Sequence, residues 1–178
     1  MSALTRETRE TRVRVELRDG LEPASRTGDD FLDHMLTTLT RYAGLPLAVE
    51  ATGDLRHHLV EDVALTLGAV LARDTPPTCA RYGDALVPMD EALVQVALDA
   101  GGRPHFEGRL PSRLYEHFFR SLAMAADWTL HVRVIRGRDR HHIVEAAFKA
   151  LGLALRRARQ DDGAVFSTKG SVRTTWEE

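Results

Sequence analysis

The chain has 178 residues, a formal net charge of −2, 43% hydrophobic residues and 28% charged residues. This size fits one domain, or two small halves that share a core, and the composition excludes a disordered, collagen-like or coiled-coil chain. The balanced charge excludes a global basic field of the kind that attracts nucleic acid. Because Cys79 is the only cysteine, neither a disulfide framework nor a cysteine-based zinc site is expected.

Strands and helices alternate in the hydrophobic pattern, read in chain order. Strands are predicted at residues 11–18, 45–52 and 128–135, and helices at residues 29–43, 57–73, 114–126 and 140–159. The middle of the chain, residues 81–109, holds strand-like segments. Breaks in these segments are expected at Asp84, Pro88, Gly101, Gly102 and Pro104.

The N-terminus mixes arginine and glutamate and has no apolar segment of the kind found in a signal peptide. No uncharged run reaches the roughly 20 residues that a membrane span needs. We therefore expect a cytoplasmic protein with no membrane partner and no nucleic-acid partner.

The predicted elements repeat, which indicates an internal duplication. His34 aligns with His117, and after one inserted residue the pentapeptide HHLVE at 57–61 aligns with HHIVE at 141–145. A five-residue polar signature in the same place of both halves is hard to obtain by chance. Two half-repeats that together form one compact domain are predicted at residues 1–78 and 79–178.

Each half carries two adjacent histidines, a glutamate and a further histidine, a set typical of metal ligation. On a helix, residues three or four positions apart share a face, whereas neighbours point about 100° apart. Two adjacent histidines therefore do not easily bind one ion, although either can pair with the glutamate. We expect two sites of about four ligands each, from different segments or subunits. The predicted ligands are His34, His57, His58, Glu61, His117, His141, His142 and Glu145.

Nitrogen and oxygen ligands without thiolate suit Mn, Fe, Co, Ni or Zn, and four protein ligands leave open positions for catalysis. The alternative interpretation is that these histidines cap helices or fill the core. Two motifs in register, each with a matched third histidine, favour the metal sites.

A phosphate-binding turn is predicted beyond the last helix, where Ser167 and Lys169 precede a glycine. Backbone amides, a hydroxyl and a cation can together hold a phosphate, although a solvated tail turn has the same composition. Arg81 and Arg103 flank the glycine-rich midsection and could clamp the same anion or be ordinary surface residues. Glu10, just before the first predicted strand, could be a general base or only a partner for a neighbouring arginine.

Six motifs occur along the chain: FLDHML, GDLRHHLVED, PMDEALVQVALDAGGRP, EHFF, HHIVEAAFKA and STKG. Together, and in this order, they resemble the imidazoleglycerol-phosphate dehydratase family of histidine biosynthesis. The resemblance implies an α+β fold of duplicated half-domains, with two mixed β-sheets packed around a helical layer. It also implies a homo-oligomer, a shell of 24 subunits, with two manganese ions per active site at subunit interfaces.

The same resemblance implies the activity, which is loss of water from imidazole glycerol phosphate to give imidazole acetol phosphate. Two ions that hold both ring nitrogens would stabilise an imidazolate, which can expel hydroxide from the adjacent carbon. It implies the eight metal ligands already named, Glu61 and Glu145 among them, and Glu10 as the acid/base group. The implied substrate and phosphate contacts are Arg81, Arg103, Lys149, Ser167 and Lys169.

The chain departs from the family pattern at a few positions. The segment before His57 is shorter, Leu59 stands where threonine is common, and Thr38 and Tyr42 replace a glutamine and a histidine. Phe166 stands where a proline is frequent before STKG. Changes around a metal site can cost roughly 10- to 100-fold in affinity or activity.

Three alternative functions follow from the same residues. The first is a divergent paralogue that acts on another imidazole or phosphate compound. The second is a hydrolase of phosphate esters with two metals roughly 3.5–4 Å apart and a shared ligand. The third is a metal-binding shell without catalytic activity, which would need no phosphate clamp.

Overall fold

The computed structural model describes residues 2–165, which form an α+β fold of eight strands and four helices. The first half contains β1 (Ser2–Glu7), β2 (Thr11–Leu17), β3 (Ala24–Arg26), α1 (Asp30–Ala43), β4 (Leu47–Gly53) and α2 (Arg56–Asp74). The second half contains β5 (Tyr82–Met89), β6 (Ala92–Asp99), β7 (His105–Gly108), α3 (Arg113–Ala125), β8 (Thr129–Arg136) and α4 (Arg140–Ala158). Within residues 2–165, none of the helices combines the length and the apolar character needed to cross a bilayer.

Each half builds one four-stranded mixed sheet, and the two sheets share a strand order. The orders are β1-β2-β4-β3 and β5-β6-β8-β7, with the last strand of each parallel to its neighbour and the others antiparallel. The helices pack across the halves, because α1 contacts α4 and α2 contacts α3. The predicted α+β fold of duplicated half-domains is therefore confirmed.

Two matched glycines let the helices of each pair approach closely. A Cβ on Gly68 would lie 2.6 Å from the carbonyl oxygen of Leu122, and a Cβ on Gly152 would lie 2.7 Å from Cβ of Tyr42. Side chains any larger than hydrogen would push the two helices of a pair apart. The two glycines thus set the close crossings of α2 with α3 and of α1 with α4.

The inserted residue of the second half forms a β-bulge in β8. Leu93 pairs with Arg136 whereas Val94 pairs with Val134, so that Ile135 is the extra residue. The matching pair of strands in the first half, β2 and β4, runs in continuous register. The bulge absorbs the insertion before α4 begins.

The predicted breaks at Asp84 and Pro88 are wrong, because β5 runs through both residues. β5 is an edge strand, so a proline there can lack an N–H without costing a hydrogen bond between strands. The sequence pattern also does not predict β1 or β3. β1 exposes nearly every side chain and β3 has three residues, so neither shows a hydrophobic period.

Candidate metal centres and active site

The first turns of the helices meet at one end of the helical layer. Arg56 at the start of α2 donates a hydrogen bond to Asp29, the N-cap residue of α1. The ring centroids of Phe31 in α1 and Tyr115 in α3 are 5.1 Å apart. Since all eight predicted ligands lie in the first two turns of α1, α2, α3 or α4, the fold brings them to the same end of the helical layer.

One group of three donors, which we name the α1–α4 cluster, contains His34, His141 and Glu145. Nε2 of His34 lies 3.2 Å from Oε2 of Glu145, and Nε2 of His141 lies 3.0 Å from the same oxygen. One ligand atom from each residue lies within 4.8 Å of the others. The two imidazole rings stack with centroids 5.9 Å apart, so both nitrogens face the same carboxylate.

The second group, the α2–α3 cluster, contains the matching residues His57, Glu61 and His117. Nε2 of His117 lies 3.2 Å from Oε1 of Glu61, and Nε2 of His57 lies 3.8 Å from Oε2. The rings of the two histidines stack with centroids 5.1 Å apart. Within residues 2–165, Nε2 of His117 is buried and makes no hydrogen bond, because its contact with Glu61 lacks hydrogen-bond geometry.

A lysine distinguishes the two clusters. Nζ of Lys149 lies 2.9 Å from Oε1 of Glu145, whereas the repeat places Leu65 at the matching position beside Glu61. Burial raises the pKa of Glu145, but hydrogen bonds from Lys149 and His34 outweigh burial, and the pKa lies below its usual value. Glu145 is therefore an ionised carboxylate in a buried position.

A basic cleft of about 650 Å³ adjoins the α1–α4 cluster. Besides cluster residues, its lining includes Thr38, Arg41, Tyr42, Lys149 and Arg156. Nζ of Lys149 lies 5.8 Å from the ring centroid of Tyr42, which holds the lysine by a cation–π contact. Two departures from the family pattern, at positions 38 and 42, thus lie in the wall of this cleft.

The second histidine of each motif points away from the cluster of its own helix. Nδ1 of His58 lies 3.1 Å from Oδ1 of Asp54 and 3.3 Å from Oε2 of Glu10. Glu10 is expected from the sequence to be a general base or a partner of a neighbouring arginine; the contact observed is with His58. The hydrogen bond to Asp54 raises the pKa of His58.

His142 has an acidic partner of its own, on the turn between β5 and β6. Nδ1 of His142 lies 2.7 Å from Oε2 of Glu91, and this hydrogen bond raises the pKa of His142. Backbone N–H groups of Arg138 and Asp139 also donate to Glu91, at 2.9 Å and 2.7 Å. These hydrogen bonds lower the pKa of Glu91 to about 2. The largest contribution comes from the Asp139 amide, followed by His142 and the Arg138 amide.

Sequence reasoning missed Asp54 and Glu91 as partners of the paired histidines. The strand pair Val15–Val49 of the first half is equivalent to the pair Val96–Val132 of the second half. Glu10 precedes Val15 by the same number of residues as Glu91 precedes Val96, so the two glutamates occupy equivalent turns. The number of residues between the two copies of the hairpin therefore differs from the number between the two copies of each helix. An alignment of the two hairpins would have singled out Glu91.

Arg81, one of the predicted phosphate contacts, lies away from the clusters. Arg81 donates to Asp99 at 2.7 Å and 3.0 Å, and its backbone N–H donates to the carbonyl of Ala158 at the end of α4. Arg103 is exposed, and its carbonyl oxygen accepts a hydrogen bond from Thr129. Ser167 and Lys169 lie outside the described residues.

Arg81 and the α1–α4 cluster are at opposite ends of one helix. His141 is in the first turn of α4 and Ala158 is its last residue, which separates them by about 25 Å at ~1.5 Å per residue. Within a single chain, a small phosphate ester does not reach from the metal-ligand clusters to Arg81.

Comparison with known proteins gives one family. A family model of imidazoleglycerol-phosphate dehydratase (IGPD) matches residues 27–155. Imidazoleglycerol-phosphate dehydratase of Pyrococcus furiosus is 43% identical over 177 residues, covering 94% of this chain and 99% of the relative. The enzyme of that name from Anaeromyxobacter sp. (strain K) is 46% identical over 191 residues, covering 96% and 91%.

Solved structures agree with the sequence comparison. The crystal structure of IGPD from Pyrococcus furiosus superposes with a TM-score of 0.87 at 40% identity and covers 95% of this chain and 100% of that chain. The crystal structure of imidazoleglycerol-phosphate dehydratase from Staphylococcus aureus superposes with a TM-score of 0.77 at 34% identity, covering 90% and 99%. The motifs, the duplicated fold and these matches lead to one conclusion: the chain belongs to the imidazoleglycerol-phosphate dehydratase family.

Proposed function

We propose that this chain dehydrates imidazole glycerol phosphate to imidazole acetol phosphate in histidine biosynthesis, with manganese bound at its histidine–glutamate clusters. Membership of the family makes the chain a hydro-lyase that acts on a phosphate substrate. The observation that carries the manganese proposal is the pair of matched clusters, each of two histidines and one glutamate. Such a biosynthetic enzyme fits the cytoplasm, where we propose that it acts.

The donor set fits a divalent transition ion. Each cluster offers imidazole nitrogen and carboxylate oxygen, a combination that suits Mn, Fe, Co, Ni or Zn. Cys79 is buried and belongs to none of the donor groups found within residues 2–165. The buried Nε2 of His117, which has no hydrogen-bond partner in the described part of the chain, is explained if it ligates an ion. When bound, the ions would act as Lewis acids that stabilise negative charge on the imidazole ring of the substrate.

Neighbouring subunits would complete each site. One chain supplies three donors to each cluster, while His58 and His142 point away with side chains 32% and 29% exposed. Arg81 also lies far from the clusters of its own chain, which supports a site built from more than one subunit. We propose a shell of 24 subunits in which these two histidines ligate ions held by neighbours.

The residues of the chain take the following roles in the proposed reaction. Glu10, whose carboxylate is 56% exposed beside His58, would move the proton at the reacting carbon. Lys149 holds the buried Glu145 and presents a cation to the cleft. The phosphate would be bound by Arg81, Arg103, Ser167 and Lys169.

A binuclear hydrolase of phosphate esters is less well supported. It would place a bridging carboxylate between two metals roughly 3.5–4 Å apart. Among the donor groups of residues 2–165, Glu61 belongs to one cluster and Glu145 to the other. Separate carboxylates suit two ions that hold opposite sides of one substrate.

The first experiment is turnover by manganese-loaded protein with imidazole glycerol phosphate, following the ketone product, with a chelated sample as control. We expect product only with metal. His58→Ala and His142→Ala should reduce both the metal content and the turnover. Unchanged metal and turnover in both variants would contradict the ligand assignment. Absence of turnover from assembled, metal-loaded protein would mean that a different imidazole or phosphate compound is the substrate.

The proposed assembly is tested by chelation. Ligands shared between subunits couple metal binding to association, so complete metal removal should convert the shell to a smaller oligomer in light scattering. An unchanged mass after metal removal would contradict metal sites at subunit interfaces.

A further inference from the structure

Glu91 makes three hydrogen bonds that together fix both of its oxygens. Oε1 accepts from the backbone N–H groups of Arg138 and Asp139, and Oε2 lies 2.7 Å from Nδ1 of His142. The amide donors precede the first turn of α4, so they belong to the backbone that carries His142. The carboxylate therefore has one defined orientation relative to the imidazole ring.

This orientation selects the tautomer of His142. An ionised carboxylate only accepts hydrogen bonds, so the ring nitrogen that faces Oε2 carries the proton. In a neutral imidazole, a proton on Nδ1 leaves the lone pair on Nε2, and the lone pair is what binds a metal. Carboxylates commonly play this part behind metal-bound histidines.

The matching turn of the first half is built differently. There the backbone N–H of Asp54 donates to the main-chain carbonyl of Glu10 at 3.0 Å, and the Asp54 carboxylate contacts Nδ1 of His58 at 3.1 Å. Glu10 lies farther from the same nitrogen, at 3.3 Å. In the first half an aspartate orients the histidine and Glu10 keeps its carboxylate available, whereas in the second half Glu91 is fully used in orientation.

We propose that Glu91 is a positioning residue that holds His142 as the Nδ1–H tautomer and so presents Nε2 as the ligand atom. The proposal rests on the proposed function in taking His142 as a metal ligand. It gives different roles to the two carboxylates at equivalent turns: Glu10 transfers a proton, and Glu91 orients a ligand.

Glu91→Gln is a sharp test because of the two backbone donors. They require an oxygen at the position of Oε1, so the amide nitrogen of the substituted side chain faces Nδ1 and donates to it. The imidazole then takes the Nε2–H tautomer and loses its lone pair for metal. The matched control is Asp90→Asn on the same turn, because Asp90 is 70% exposed and lies 3.5 Å from Nε2 rather than near Nδ1.

Two readouts are needed. The first is the tautomer of His142 in metal-free protein, from ¹⁵N chemical shifts of histidine-labelled samples under magic-angle spinning at a pH where the ring is neutral. His142→Ala assigns the signal. The second readout is the affinity for manganese, from the electron paramagnetic resonance signal of free Mn²⁺.

We expect Nδ1–H in the unmodified chain and in Asp90→Asn, Nε2–H in Glu91→Gln, and a manganese affinity lowered roughly 10- to 100-fold in Glu91→Gln alone. An Nδ1–H tautomer that persists in Glu91→Gln would overturn the proposal, whatever the affinity. A reversed tautomer together with a manganese affinity that His142→Ala leaves unchanged would uphold the orientation by Glu91 and contradict the ligand assignment of the proposed function.

Discussion

The α1–α4 and α2–α3 clusters have the same residue types, two histidines and one glutamate, and differ in their surroundings. In both, two stacked imidazoles face one glutamate from paired helices. Glu145, however, has a side chain 9% exposed and bound to Lys149, whereas Glu61 is 35% exposed and has a leucine at the matching position. The duplication preserves the geometry of the three donor groups, and the electrostatics of each cluster is set by residues that the two halves do not share.

The largest expected effects come from replacing the glutamate of each cluster. Glu145→Gln and Glu61→Gln should each reduce turnover by more than the roughly 10- to 100-fold typical of residues around a metal site, because a ligand itself is lost. In metal-free protein their stabilities should differ. Glu145→Gln leaves the mostly buried Lys149 without the carboxylate of Glu145 and should lower the free energy of unfolding by about 3 kcal/mol. Glu61→Gln should lower it by less than about 1 kcal/mol. Urea unfolding of chelated samples measures both, and equal losses would mean that Lys149 does not distinguish the clusters.

The next effect removes the distinguishing cation. Lys149→Met should lower kcat/KM by roughly 10- to 100-fold while manganese content stays near that of the unmodified chain, since the cation supports a ligand and the cleft without ligating. Leu65→Met, at the matching position of the α2–α3 cluster, is the control and should leave both quantities unchanged. Loss of manganese from Lys149→Met would instead show that the lysine is needed for the ion to bind.

A smaller effect comes from the glycines that set the helix crossings. Gly152→Ala and Gly68→Ala should each destabilise the fold by about 1–3 kcal/mol, because the added Cβ forces the paired helices apart. Gly152→Ala should also weaken metal binding at the α1–α4 cluster, which spans the separated helices. Thermal unfolding and manganese titration check both effects. Gly163→Ala is not a suitable control, since Gly163 has a φ of +72°; Glu22→Ala, at an exposed position, serves instead.

The smallest effect is a shift in the pH dependence of metal binding. Protonated imidazole does not bind metal, and the pKa values of His58 and His142 lie above the ordinary 6.5. Manganese affinity should therefore begin to fall above pH 6.5 as the pH decreases. Asp54→Asn replaces the carboxylate that accepts from His58 and raises its pKa with a neutral amide, so the fall should begin at a lower pH. The manganese affinity is measured across this pH range, with Asp162→Asn at an exposed position as the control. The same pH dependence in Asp54→Asn and Asp162→Asn would contradict the assignment of His58 as a metal ligand.

The sequence was sufficient for the helices and for the residues that form the clusters. Histidines at matched places in the repeat lie in first turns of paired helices, and a repeat alignment reports such matches directly. The choice between the two adjacent histidines was left open, because spacings of three and four residues both fit a helix. The structure pairs His57 and His141 with the glutamates, since the second histidines face the strand hairpins.

The contacts that sequence reasoning missed depend on packing between segments far apart in the chain. Glu91 meets His142 only because the hairpin of β5 and β6 lies beside the first turn of α4. Pro88 breaks no strand because β5 is at the edge of its sheet. The position of Arg81 at the far end of α4 likewise follows from the strand order, which the local hydrophobic pattern does not specify.

The bulge at Ile135 has a consequence for how two copies of one ancestral unit became different. A single added residue was absorbed within β8 and left the ligand positions of α4 intact. The backbone just beyond it donates two N–H groups to a carboxylate, whereas the matching backbone of the first half donates to a main-chain carbonyl. The two equivalent glutamates therefore lie in different hydrogen-bond surroundings, on either side of a one-residue difference that the fold tolerates. The two halves differ in this way without any difference in the residue types of their histidine–glutamate clusters.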